Sequence, residues 1–132
     1  MTRVFADTYF YLAILSPSDS AHERAIELSM ELRASTVTTA WVLAEVADAL
    51  ARQSDRQRFI SLFDRLRANS NVTIVPATVD HFSRGVELYR QRPDKDWSLT
   101  DCISFETMNE LGLTDALTGD HHFEQAGFHI LL

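Results

Sequence analysis

The stretch Arg3-Val4-Phe5-Ala6-Asp7 begins with apolar side chains and ends in a carboxylate. Its β-branched and aromatic residues predict a short buried strand, and helical spacing follows at Thr8–Leu15. A carboxylate at the end of a buried strand requires a cation or a proton, because burying it alone costs several kcal/mol. Asp7 is therefore the first candidate functional residue, and a helix-capping role is its alternative.

The rest of the chain continues as strands that alternate with helices. Further strands are predicted at residues 36–38, 72–75, 116–118 and 128–132. Further helices are predicted at residues 21–33, 40–52, 56–68, 79–91 and 99–111, with Ser20 and Glu23 as a capping box for the first. This alternation predicts a central parallel sheet with helices on both faces, a three-layer α/β/α sandwich in one domain that spans residues 1–132.

Composition excludes several classes of protein. The 132 residues carry 12 Lys and Arg against 19 Asp and Glu, a net charge of -7, which repels phosphate and argues against a general nucleic-acid coat. Cys102 is the single cysteine, so no internal disulfide and no thiolate metal site can form. No segment resembles a signal peptide or the roughly 20 apolar residues of a membrane span, so we expect a cytoplasmic protein without membrane contact.

Three more carboxylates stand out. Asp101 lies on the apolar side of the first turn of a predicted helix, where capping together with Ser98 is the alternative role. Asp120 follows the predicted strand 116–118, and a Gly-Asp turn is its alternative. Glu45 points away from the buried stripe of its helix, which by itself is typical of a solvated residue.

The four acids together resemble those of the PIN-domain nucleases. The local strings are Val4-Phe5-Ala6-Asp7-Thr8, Val42-Leu43-Ala44-Glu45-Val46, Trp97-Ser98-Leu99-Thr100-Asp101-Cys102 and Leu117-Thr118-Gly119-Asp120. The ending His121-His122-Phe123-Glu124-Gln125-Ala126-Gly127-Phe128 is also similar, particularly to the VapC-type toxins. The resemblance covers essentially the whole chain, and it implies a PIN-like fold.

The resemblance further implies a metal-dependent endoribonuclease that cleaves RNA with a metal-activated water. Oxygen ligands suit hard divalent cations, and no catalytic serine or histidine is then required. The catalytic carboxylates would bind Mg²⁺ or Mn²⁺, chiefly through Asp7 and Asp101, with Glu45 and Asp120 bound directly or through water. Nearby hydroxyl groups that would orient them are those of Thr8 and Ser98.

Other readings of the reactive residues are weaker. His121 and His122 are adjacent and therefore point to different sides of most backbones, so neither is favoured as a ligand. Asp96 is an auxiliary acid or part of a charged loop, and the loop is the stronger interpretation. Cys102 is expected to be a small buried hydrophobe. An aspartyl-phosphate hydrolase would have a second aspartate where Tyr9 stands.

A basic segment is the predicted RNA-binding surface. Residues 52–67 carry five arginines against two aspartates, a net +3 in an acidic chain. The alternative is a solvated helix face. Trp97 could stack on an unpaired base, or it could pack beside the loop. The arginines are Arg52, Arg56, Arg58, Arg65 and Arg67.

The resemblance also implies partners. A toxin would be paired with an antitoxin, and the lack of a further domain after Leu132 favours the toxin over a housekeeping PIN-type RNA-processing nuclease. A non-catalytic binding module is disfavoured because all four positions are acidic. Such toxins commonly form homodimers. Apolar helical residues that would form the dimer surface, or else the core, are Phe59, Leu62, Phe63 and Leu66.

Overall fold

Five short strands alternate with seven helices along residues 2–132, the part of the chain that the computed structural model describes. The strands are β1 (Arg3–Ala6), β2 (Ser35–Thr39), β3 (Val72–Val75), β4 (Asp115–Leu117) and β5 (His129–Ile130). The helices are α1 (Thr8–Leu15), α2 (His22–Glu31), α3 (Ala40–Ala49), α4 (Arg56–Ala68), α5 (Val79–Gln91), α6 (Leu99–Leu111) and α7 (His121–Gln125). Within these residues no helix has the length and apolar character needed to cross a membrane.

The sheet is entirely parallel, with the strand order β3-β2-β1-β4-β5. Phe5 of the central strand β1 pairs with Val37 on one side and with Ala116 on the other. The chain moves outward from β1 to β3 and then crosses to β4, so right-handed connections place helices on both faces. This confirms the predicted three-layer α/β/α sandwich. Its topological switch point lies between β1 and β4, where Asp7 follows β1.

An aromatic cluster joins the last helices to the sheet. The ring of Phe123 in α7 lies edge-on to Phe105 of α6, with 4.9 Å between centroids, and 6.2 Å from the ring of Phe5 in β1. All three side chains are fully buried. Because aromatic pairs of this kind add to the free energy gained by burial, they fix α6 and α7 against the central strand.

The apolar side of α4 belongs to the core. Leu62 is buried, and Phe59, Phe63 and Leu66 are partly buried against the core. The core alternative is therefore confirmed for Leu62, whereas a dimer surface stays a prediction for the three partly buried residues.

At two helices the structure differs from what the sequence predicts. The capping box of Ser20 with Glu23 does not form, because α2 begins one residue late, after Ala21, and has no side-chain cap. Asp19 Oδ1 instead accepts a hydrogen bond from the backbone N–H of Ala21, at 2.8 Å. The sequence also gave no sign of α7, because five residues are too few to show a helical period.

Gly85 of α5 lies directly against Ile103 of α6. A Cβ there would overlap Cγ1 of Ile103 and lie 3.2 Å from its Cα. We expect Gly85→Ala to lower the free energy of unfolding by roughly 1–3 kcal/mol, the usual cost of overpacking. Urea denaturation measures this, with Ser83→Ala on the exposed side of α5 as the control. Equal free energies of unfolding for the two variants would show that α5 and α6 can move apart to accept the added Cβ without a loss of stability.

Candidate active site

Asp7 follows β1 and is held by the neighbouring strand. Its backbone N–H donates to the carbonyl of Leu117 at 3.2 Å, and its side chain is 4% exposed. The Thr118 hydroxyl donates to Asp7 Oδ2 at 2.9 Å. Asp7 occupies the cap position of α1, but its side chain forms no capping hydrogen bond. The capping alternative for Asp7 is therefore wrong, and the carboxylate is turned toward the edge of the sheet.

Glu45 lies in the second turn of α3, which starts directly after β2. The Thr39 hydroxyl caps this helix by accepting from the Val42 N–H at 3.1 Å. Glu45 is half-buried, and the hydroxyl of Thr8 donates to its Oε1 at 2.5 Å. Glu45 is thus not an isolated solvated residue, because this hydrogen bond connects it to Thr8 at the start of α1, next to Asp7.

Asp101 lies in the first turn of α6 and is 9% exposed. Its N–H donates to Ser98 Oγ at 3.0 Å, and its Oδ2 accepts from the Ser98 N–H at 3.2 Å. This reciprocal capping box confirms the local prediction for the two residues. The hydrogen bond from Ser98 uses only one lone pair of Oδ2, so Asp101 can cap its helix and still present carboxylate oxygens to a cation.

Asp120 is placed by a residue that the sequence did not single out. Its backbone N–H donates at 3.0 Å to the hydroxyl of Thr118, which is fully buried. The same hydroxyl donates to Asp7, so Thr118 connects two of the four acids. The carboxylate of Asp120 caps α7 by accepting from the His122 N–H at 2.9 Å. The only sequence signal for Thr118 is its position immediately after β4.

His122 contacts two of the acids closely, whereas His121 lies at the margin of the cluster, with its Nδ1 3.9 Å from Asp120 Oδ1. His122 Nδ1 lies 3.2 Å from Asp101 Oδ2 and 3.4 Å from Asp120 Oδ1. The His122 side chain is 23% exposed, against 70% for His121. The expectation that the two histidines face different sides is confirmed. The sequence does not distinguish His122 from His121, because the direction of each side chain depends on α7, which the sequence does not predict.

The electrostatics of the site reflect buried carboxylates that lie close together. Burial, and to a smaller extent the charges of Asp101 and Glu45, raise the pKa of Asp7 to about 7 against hydrogen bonds that lower it. Burial also raises the pKa of Asp101, with Asp120 adding to the effect and hydrogen bonds from Ser98 and His122 opposing it. Among residues 2–132, the basic side chains that lie within ion-pair distance of these acids are histidines, with no lysine or arginine.

This donor set fits a divalent cation. Carboxylate oxygens are the preferred ligands of hard ions, and a bound ion would relieve the mutual repulsion of the acids. Asp101, Asp120 and His122 each place one donor atom within 4.8 Å of the others. The arrangement therefore offers oxygen donors and one imidazole nitrogen at the carboxyl edge of the sheet.

The arginines of segment 52–67 do not lie in one row. At about 100° per residue, Arg56 and Arg67 share one flank of α4, and Arg58 and Arg65 share the opposite flank. Arg58 donates to the last carbonyl of α1, at the end of that helix opposite the acids. RNA binding by the whole segment stays a prediction, with at least one arginine engaged in a structural contact.

Asp96 and Trp97 are not part of the acid cluster. Trp97 is 6% exposed, lies edge-on to Phe105, and donates its Nε1–H to Gln125. Base stacking by Trp97 is therefore wrong, and packing beside the loop is confirmed. Asp96 is exposed and lines a separate cavity in the loop between α5 and α6.

Comparisons with known proteins identify the family and the fold of the chain. The PIN domain model matches residues 4–129. None of the curated protein sequences matches the chain significantly. Among solved structures, VapC20 of Mycobacterium tuberculosis, described as a toxin that cleaves the sarcin-ricin loop, has a TM-score of 0.86 at 25% identity, covering 95% of each chain.

Two further structures share the fold at lower identity. FitAcB of Neisseria gonorrhoeae has a TM-score of 0.68 at 18% identity, covering 98% of this chain and 96% of its own. VapBC2 of Rickettsia felis, bound to a DNA fragment from its promoter, has a TM-score of 0.69 at 12% identity, covering 98% of both chains. The chain therefore belongs to the PIN domain family and has the fold of the VapC-type toxins.

Proposed function

We propose that this protein is a metal-dependent endoribonuclease and the toxin of a toxin–antitoxin pair. The observation that carries the proposal is the convergence of four carboxylates at one edge of the sheet of a PIN domain, without a lysine or arginine partner among residues 2–132. The acids that hold Mg²⁺ or Mn²⁺ in this proposal are Asp7, Glu45, Asp101 and Asp120.

Three of the acids are oriented by hydrogen bonds from neighbouring residues. Thr118 sets the direction of the Asp7 carboxylate, Ser98 that of Asp101, and Thr8 that of Glu45. A bound divalent ion supplies a water molecule of lowered pKa and stabilises the charge that develops at the phosphate. Because the acids are positioned before substrate arrives, little free energy is needed to reorganise them during cleavage.

A basic cavity beside the start of α6 supports RNA as the substrate. Its volume is about 710 Å³, and it lies in the loop that leads to Asp101. Its lining includes Tyr89, which is 55% exposed, together with Arg90 and Lys95. Cations would contact the phosphate backbone, and the exposed tyrosine would contact a base. The similar toxin VapC20 is described as acting on the sarcin-ricin loop, which supports the same class of substrate here.

The antitoxin and a second copy of the chain are the proposed protein partners. A cavity of about 500 Å³ between α1, α2 and α4, lined in part by Phe10, Ile26 and Leu66, is suited to an apolar segment of the antitoxin. For a homodimer, the exposed face of α5 with Val79 and Phe82 is the better surface, since these side chains are 82% and 39% exposed.

The proposal is tested by RNA cleavage with purified protein. Cleavage of a single-stranded RNA pool should require Mg²⁺ or Mn²⁺ and stop with a chelator. Glu45→Gln and Asp120→Asn should each weaken cleavage at low metal concentration and recover part of it at higher concentration, because each loses one charge that attracts the ion. Cleavage at the wild-type rate in the presence of chelator would refute the metal-dependent mechanism. A wild-type protein that cuts no RNA with either ion would refute the nuclease.

A further inference from the structure

α7 fixes the direction of His122. Phe123 is fully buried and anchors the helix, with its ring 4.9 Å from that of Phe105. Asp120 caps the same turn through the His122 N–H. With both neighbours held, the imidazole is directed at the acids, while His121 is directed at solvent. The direction of the imidazole is therefore set by the backbone of this turn.

The separations between donor atoms suit a shared ion. Ligand atoms about 2.1 Å from a six-coordinate ion lie about 3 Å apart as neighbours and about 4.2 Å apart across it. His122 Nδ1 is 3.2 Å from Asp101 Oδ2 and 3.4 Å from Asp120 Oδ1, within this interval. The distances from the imidazole nitrogen to the two carboxylate oxygens are therefore already close to those that a shared ion requires.

We propose that His122 is a direct ligand of the divalent ion, together with Asp101 and Asp120, and that its nitrogen makes the site prefer Mn²⁺ to Mg²⁺. The inference rests on the metal site of the proposed function and goes beyond it by naming a fifth ligand and the resulting selectivity. Mn²⁺ and Mg²⁺ both suit carboxylates, carbonyls and water, but Mn²⁺ is a first-row transition metal and accepts an imidazole nitrogen more readily than the harder Mg²⁺ does. A site with one imidazole therefore gains affinity for Mn²⁺ that it does not gain for Mg²⁺.

A different role for His122 would produce the same contacts. A protonated imidazole could act only as a counter-ion that reduces repulsion between Asp101 and Asp120. In that case an arriving cation would replace it, and removing His122 would leave the affinities for Mg²⁺ and Mn²⁺ unchanged or would raise both. If His122 is a ligand, its removal should instead weaken metal binding, and the loss should be largely confined to Mn²⁺.

The first measurement compares metal affinities by isothermal titration calorimetry on the full chain. His122→Gln should weaken Mn²⁺ binding by at least about tenfold, while Mg²⁺ binding changes much less, because the amide oxygen is a hard donor. His129→Gln is the matched control and should leave both affinities unchanged, because His129 is exposed and pairs with Asp115, which is not one of the four acids. Equal losses for the two ions, or no loss for Mn²⁺, would overturn the inference.

The second measurement requires no substitution and therefore does not depend on the folding of a variant. Pulsed electron paramagnetic resonance of the Mn²⁺-loaded wild type should show coupling to a directly bound ¹⁴N, and labelling of the histidines with ¹⁵N should replace that coupling. Mn²⁺ bound without nitrogen coupling would overturn the inference and leave the proposed function intact. A wild-type protein that binds neither ion at millimolar concentration would refute the proposed metal site as well.

Discussion

Replacing Asp7 with asparagine is expected to abolish RNA cleavage while preserving the fold. The amide keeps the shape of the side chain and can still accept the hydrogen bond from Thr118, but it loses the charge that holds the cation. The rate should fall by roughly a thousandfold or more, because a bound ion contributes several kcal/mol of transition-state stabilisation and about 1.4 kcal/mol corresponds to each factor of ten.

The measurement is single-turnover cleavage of RNA at saturating metal. Circular dichroism of the variant verifies the fold. Asp48→Asn is the matched control, since Asp48 is an exposed acid on α3, the helix that carries Glu45. Full activity of a folded Asp7→Asn protein would remove Asp7 from the active site and, with it, the central element of the proposed mechanism.

The stability of the metal-free protein is expected to fall as the pH rises through about 7. Burial raises the pKa of Asp7 from 3.8 to about 7 in the folded protein. Between these pH values the folded state keeps a proton that the unfolded state releases. The stabilisation is complete below the ordinary pKa and is lost as the pH rises through the folded value. A shift of this size corresponds to about 4 kcal/mol.

Urea denaturation in the presence of a chelator, at several pH values between about 5 and about 8, measures this effect. The difference in free energy of unfolding between wild type and Asp7→Asn isolates Asp7 from other titrating groups. The asparagine variant should become progressively more stable than wild type as the pH rises. Mg²⁺ or Mn²⁺ should restore wild-type stability, because the ion binds only the folded state. Parallel pH curves for the two proteins would contradict the pKa assigned to Asp7.

Several parts of the site follow from local sequence. The apolar run before Asp7 forms β1, and the Ser98–Asp101 spacing forms the capping box, because each depends on residues only a few positions apart. The alternation of strands and helices likewise determined the three-layer architecture. The resemblance to PIN domains predicted that the four acids form one site, because their order along the chain matches the order of the strands and helices that carry them.

Other features depend on contacts between distant segments. Thr118 donates to Asp7 across 111 positions, so its role exists only once β4 pairs with β1. His122 reaches Asp101 only because burial of Phe123 fixes α7. A side chain's type can be read from the sequence, but its direction is set by packing and by the register of the sheet.

The sequence by itself therefore determined the fold class, the identity of the acids and the net charge of the basic segment 52–67. Only the tertiary structure decided which flank of α4 each arginine occupies, that Trp97 is core, and that His122 faces the acids. The physical reason is that periodicity and capping act within a few residues, whereas burial and donor-atom spacing arise when segments far apart in the chain pack together.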